Sequence, residues 1–151
     1  MADDSGSLIL GFGDLPGRLS VIQKLGERFD FATVFHPLSV LLSDHIPGPG
    51  TFLAAQSLIG VNAKIGKHCI VNTAASIDHD CKIGNNVHIA PGVRLGGDVH
   101  VGDNTLIGTG AIINPGITVG ANCQVGSGAV VTQNIPNNQT VIGIPAKPRP
   151  N

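Results

Sequence analysis

The chain has 151 residues, a formal net charge of −1, 13% charged residues and only 3% aromatic residues. That balance offers no basic, aromatic-interleaved surface for nucleic acid, and no apolar run approaches the ~20 residues of a membrane span. The length suits one domain, or one main domain with a small appendage.

Residues 1–7 are polar and acidic, unlike a signal peptide, and are expected to form a disordered tail on a cytoplasmic protein. Residues 8–46 read as a truncated α/β cap. Leu8 to Leu10 forms a short apolar run that ends in Gly11-Phe12-Gly13. Leu19, Ile22, Leu25 and Phe29 follow at helical spacing, with Pro16 suited to the first turn, and a second strand is expected over Phe31 to Phe35. Gly11, Gly13 and Gly17 are spaced GxGxxxG, and no acidic residue follows a second strand as a dinucleotide site requires. A strand-to-helix turn is the preferred reading. Pro47-Gly48-Pro49-Gly50 marks a joint over residues 47–52, where the period of six kept by Val34, Val40 and Ile46 slips by one residue.

Residues 53–136 are periodic. From Ile59 to Val131 every sixth residue is Ile, Leu or Val, without insertion or deletion. Four places later in each block stands a second column of small or aliphatic residues, from Ala63 and Cys69 to Ala129 and Ile135. One place before these, the column from Asn62 to Asn134 is almost entirely Asn, Asp or Gly, the residues that best tolerate left-handed backbone. A short strand and a tight turn every six residues coil a chain into a prism whose strands pair with the coil above. The expected fold is an all-β parallel β-helix of hexapeptide repeats with a small α/β cap, followed by a tail over residues 137–151. All five phenylalanines precede the uninterrupted repeat, in keeping with a prism too narrow for rings. Cys69, Cys81 and Cys123 fall in the small inward column as compact hydrophobes, and no CxxC spacing suggests zinc or redox work.

If three blocks make one coil, residues eighteen apart stack, and the histidines can be mapped. His79 takes an outward position between Asp78 and Asp80, where a carboxylate beside a neutral imidazole suits a general base. Asp80 also fits its column as a turn former, whereas Asp78 replaces the glycine that dominates its own. Gly97 lies one coil above His79. It is expected to leave open space over the imidazole and a backbone N–H able to stabilise an oxyanion, with an ordinary turn glycine as the alternative. His88, half a coil from His79, points to the opposite side, so the two can meet only if a neighbouring chain presents its far side in a closed oligomer. Near His88, small residues Pro91, Thr109 and Ser127, with Asn72 beside them, outline a groove along the prism. His36, His45, His68 and His100 read as surface or cap residues.

The run Ile70-Val-Asn-Thr-Ala-Ala-Ser-Ile-Asp-His-Asp-Cys81, then Val87-His88, Gly96-Gly97 and Gly143-Ile-Pro-Ala-Lys147, resembles the hexapeptide acetyltransferases that modify bacterial surface sugars. The nearest subfamily is that of sialic-acid O-acetyltransferases and nucleotide-aminosugar N-acetyltransferases, over about residues 8 to 147. The resemblance implies a left-handed helix, a homotrimer and acetyl-CoA as cosubstrate without a metal. It implies His79 as general base, Asp80 as the acid that raises its basicity, and Gly97 as backbone donor to the thioester carbonyl. His88, Thr109 and Ser127 match acetyl-CoA contacts. Asn72 and Asp78 are the expected contacts to a sugar-like acceptor. Full-length members of that family begin with a complete βαβ-type domain for the acceptor's nucleotide, and this sequence starts at what looks like its final strand and helix. The expectation is acetyl transfer to a sugar amine or hydroxyl. The alternatives are an inactive hexapeptide scaffold and a metal-dependent γ-type carbonic anhydrase, although no two histidines have the 36- or 5-residue separations of the latter's ligands.

Overall fold

A computed structural model describes residues 6–150. Most of the expected disordered tail lies outside the described residues. Short strands stack into three sheets of eight, six and four strands, parallel and eighteen residues apart except for the last two of the first sheet. In the first sheet Val34, Phe52, Ile70, His88, Leu106 and Gln124 stand in one register. The second stacks Val40, Leu58, Ser76, Arg94, Ile112 and Val130, and the third Lys64, Lys82, His100 and Thr118. These residues all point outward. The residue after each points inward, so Ile59, Val71, Ile77, Ile89, Ile107 and Val119 have no exposed surface. Each such side chain stabilises by about 1.5–3 kcal/mol, an upper estimate because the unfolded chain already buries part of its surface.

The turns follow the expected column. Every residue from Asn62 in steps of six to Gly128 has positive φ, between 51° and 73°. His68 and Ala74 adopt this backbone as well, although neither is Asn, Asp or Gly. At the corner between the third and first sheets, Thr51 and Thr105 replace a hydrophobe. Their hydroxyls donate to Gly66 O at 2.9 Å and Gly120 O at 2.8 Å and accept from the N–H of Cys69 and Cys123, so burial leaves no polar atom unpaired there. Burial pushes the Cys69 thiol up to about 12 and that of Cys81 up to about 11.

The coil extends beyond the uninterrupted repeat at both ends. Val34–Phe35 and Val40–Leu41 already pair with Phe52–Leu53 and Leu58–Ile59, so part of the segment assigned to the cap and joint is the first coil. The expected one-residue slip does not exist: Phe35 and Leu41 stack on Leu53 and Ile59 at eighteen residues and Pro47 is buried, while Val34, Val40 and Ile46 belong to the outward column. At the other end Thr140–Ile142 pairs with Gln124–Val125, sixteen residues away instead of eighteen, and then with Lys147–Pro148 in antiparallel fashion. The cap itself is small: a single parallel bridge joins Leu8 to Phe31, and between them runs α1, Leu15–Leu25. Asp14 caps the helix by accepting from Gly17 N at 2.8 Å, and Pro16 sits in its first turn. The helix ends at Gly26, whose φ of 55° no longer propagates it. Phe29 therefore falls outside the helix and is exposed, contrary to the helical spacing.

Candidate active site

His79 follows the strand Ser76–Ile77 at the corner between the second and third sheets. Its Nδ1 lies 2.8 Å from Asp80 Oδ2. A neutral ring that donates from Nδ1 carries its lone pair on Nε2, so the carboxylate selects the basic tautomer. The same hydrogen bond holds the imidazole pKa above its ordinary value, and Asp78 and Asp98 act in the same direction by charge. The Asp80 carboxyl is correspondingly held below its usual range by His79, and secondarily by Asn62, whose Nδ2 donates to Oδ1 at 3.3 Å from one coil below. Asp78 turns its Oδ1 back onto the His79 N–H at 2.8 Å, so one oxygen serves the turn itself.

Gly97 stacks on this ring. A Cβ there would stand 2.5 Å from both Cε1 and Nε2 of His79. The space over the glycine is thus filled by the imidazole edge instead of being open, and only glycine admits the ring at this position. The Gly97 carbonyl accepts from Gly116 N at 2.9 Å, while no acceptor among the described residues takes its N–H.

His88 occupies a different environment. It lies in the outward column of the first sheet, where its neighbours Phe52, Ile70 and Leu106 are apolar and face the cap. Residues Ile9 to Gly13 roof a cavity of about 340 Å³ floored by Phe52, Ile70, Asn72 and His88. Asn72 Nδ2 lies 3.3 Å from His88 Nε2, and its Oδ1 accepts from Thr73 N at 2.8 Å, which fixes the amide's orientation. Nε2 is then an acceptor. Burial pushes the His88 pKa down, against a hydrogen bond to the Gly13 backbone.

Thr109 and Ser127 are exposed at the corner between the first and second sheets. They stack with Pro91: Gly110 N donates to Pro91 O at 2.9 Å and Gly128 N to Thr109 O at 2.8 Å. A Cβ added at Gly92, Gly110 or Gly128 would meet nothing within 4 Å, so the corner borders open space. Of the residues singled out in the sequence, His79, Asp80, Asp78 and Gly97 thus form one group. His88 and Asn72 form a second, close to the corner of Thr109 and Ser127. The second sheet separates the two groups within one chain. Spacing did not reveal Asn62 as a partner of Asp80, or Arg18 and Asn86 as a buried pair under the cap. Arg18 had a signal, since it lies on the same helical stripe as Leu15, Ile22 and Leu25.

The family model for bacterial transferase hexapeptide repeats (six repeats) matches residues 62–97 and 98–133. The acetyltransferase domain of PglB from Neisseria gonorrhoeae is similar with a TM-score of 0.89 and 35% identity, over 95% of this chain and 70% of that one. This chain belongs to the hexapeptide-repeat sugar acetyltransferases. Other members are as similar: PerB from Caulobacter crescentus (TM-score 0.92, 34% identity, 96% of this chain and 70% of that one) and WeeI from Acinetobacter baumannii (0.92, 30%, 99% and 73%). No curated protein sequence matches the chain. As in this family of acyltransferases, the parallel β-helix is left-handed. The PglB domain has been crystallised with acetyl coenzyme A and PerB with CoA and GDP-perosamine. Variants of the Caulobacter crescentus enzyme with a histidine replaced by alanine or asparagine have been crystallised with the same two ligands. Among the described residues no group of three or more His, Cys, Asp or Glu could hold a metal ion, and no helix is long and apolar enough to cross a membrane.

Proposed function

We propose that this protein moves the acetyl group of acetyl-CoA to the amine of a nucleotide-linked amino sugar, in one direct step with His79 as general base. The observation that carries this reading is the 2.8 Å contact between His79 Nδ1 and Asp80, which leaves Nε2 free to take a proton. The amine nitrogen attacks the thioester carbonyl and gives its proton to Nε2. The Gly97 N–H, free of other acceptors among the described residues, stabilises the oxyanion. The C–S bond then breaks, and the proton passes from His79 to the departing CoA thiolate. Acetyl-CoA lies along Pro91, Thr109 and Ser127 with its acyl end near His88, and Asn72 and the second oxygen of Asp78 face the acceptor. An amine is preferred to a hydroxyl because the Caulobacter crescentus relative is a GDP-perosamine N-acetyl transferase.

The working form in this proposal is a cytoplasmic homotrimer with each site shared between two chains. Two features support it. The groups of His79 and His88 are separated by the second sheet in one chain, and that sheet exposes Val40 and Ile112, which a neighbouring copy would cover. The direct test follows CoA thiol release from acetyl-CoA with and without an amino-sugar nucleotide such as GDP-perosamine, alongside calorimetric titration with CoA. Acceptor-dependent release is expected. A purified protein that binds no CoA would sink the proposal.

A further inference from the structure

Arg18 is a buried cation that the proposed reaction does not use. Its side chain is fully buried beneath α1. Nη1 donates to Leu10 O at 2.9 Å and Phe12 O at 2.8 Å, Nη2 to His68 O at 2.7 Å, and Nε reaches Asn86 Oδ1 at 3.4 Å. Asn86 is itself 3% exposed and donates to Leu15 O and Asn104 Oδ1. Every acceptor around the guanidinium is neutral, and among the described residues no carboxylate pairs with it. A buried charge without a counter-ion persists only where its donors are filled, and a rigid fork demands that the acceptors be held where it points. Arg18 therefore fixes the Leu10 to Phe12 segment, α1 and the coil at His68 relative to one another.

The next residue along that segment is Gly13. A Cβ there would stand 3.1 Å from Cε1 and 3.3 Å from Nδ1 of His88, so this backbone lies against the ring. Asn72 meets the same ring at Nε2. We propose that Arg18 is a positioning residue: by tying the Leu10 and Phe12 carbonyls to the coil it holds Gly13 against His88 and keeps that imidazole neutral, with its proton on Nδ1 and its lone pair toward Asn72. The functional half of this inference rests on the reading of His88 as an acetyl-CoA contact. The geometric half does not.

The test is nitrogen NMR of the His88 imidazole, with steady-state kinetics and thermal unfolding, in wild type, Arg18→Gln and Arg18→Lys. Wild-type His88 is expected in the Nδ1–H form. In folded Arg18→Gln its ring signals should move to the averaged positions of mixed tautomers. KM for acetyl-CoA should rise about tenfold with kcat within about twofold, the effect of one misplaced hydrogen-bonding group. Arg18→Lys keeps a charge but not the fork, and should restore only part of both signals. If Arg18→Gln does not fold, Arg18→Lys carries the same two readings. Unchanged His88 signals in either folded variant would overturn the positioning role. If His88→Ala leaves KM for acetyl-CoA unchanged, the assignment of His88 fails instead, while the NMR result still decides whether Arg18 sets the ring.

Discussion

The two histidines nine residues apart are prepared in opposite ways. His79 stands at an exposed corner, its side chain 60% accessible, and its partners are carboxylates. His88 is half-buried under a cap, and its partners are an amide and a backbone segment. One environment raises the imidazole pKa and leaves Nε2 open; the other lowers it and occupies Nε2. Identical side chains on one repetitive scaffold are thus given opposite proton affinities by what the prism places beside them.

The largest effect should come from His79. His79→Ala is expected to lower kcat by about a thousandfold, the scale of a lost general base, with little change in thermal stability because the side chain is exposed. A fall of less than about tenfold would remove His79 from the chemistry and erase the contrast with His88. Next is Gly97→Ala. The added methyl would occupy the place of the His79 ring edge, and the exposed ring can swing away at small cost to folding. Stability should change by less than about 1 kcal/mol while kcat falls about a hundredfold, as for a reacting group moved by an ångström. In a His79→Ala background the same substitution should have almost no further effect. Equal losses in both backgrounds would mean that Gly97 acts independently of the ring.

Asp80→Asn should act less on rate and most clearly on pH. The carboxylate favours the imidazolium, so its removal lets His79 lose its proton at lower pH. The acid limb of kcat/KM should move to lower pH, and the plateau should fall about tenfold as the tautomer is no longer fixed. A limb that stays in place would show that another group controls it.

Much of this was legible in the sequence because the repeat is a coordinate system. Eighteen-residue stacking placed Gly97 on His79 and Asn72 near His88, and the Asn, Asp and Gly column gave the turns. What the period could not convey was whatever leaves it. The first coil begins at Val34 in the same eighteen-residue register, but Phe35 and Pro47 stand in its inward column in place of Ile or Val, and the last coil tightens to sixteen residues. Numbering also could not tell that Gly97 is filled by the ring it faces. Nor could it show that Arg18, on the apolar stripe of α1, would bind carbonyls from two distant segments. Those contacts depend on how the cap lies on the coil, which no repeat encodes.

The central claim is that the base of one chain serves the acetyl-CoA contact of the next. It is tested most directly by co-refolding His79→Ala and His88→Ala chains in equal amounts and measuring acetyl transfer against each parent and against wild type put through the same protocol. If each site takes His79 from one chain and His88 from its neighbour, random closed assemblies should recover about a quarter of the wild-type sites. Mixtures no more active than the parents, with wild type surviving the protocol, would place both histidines' functions within a single chain and contradict the account.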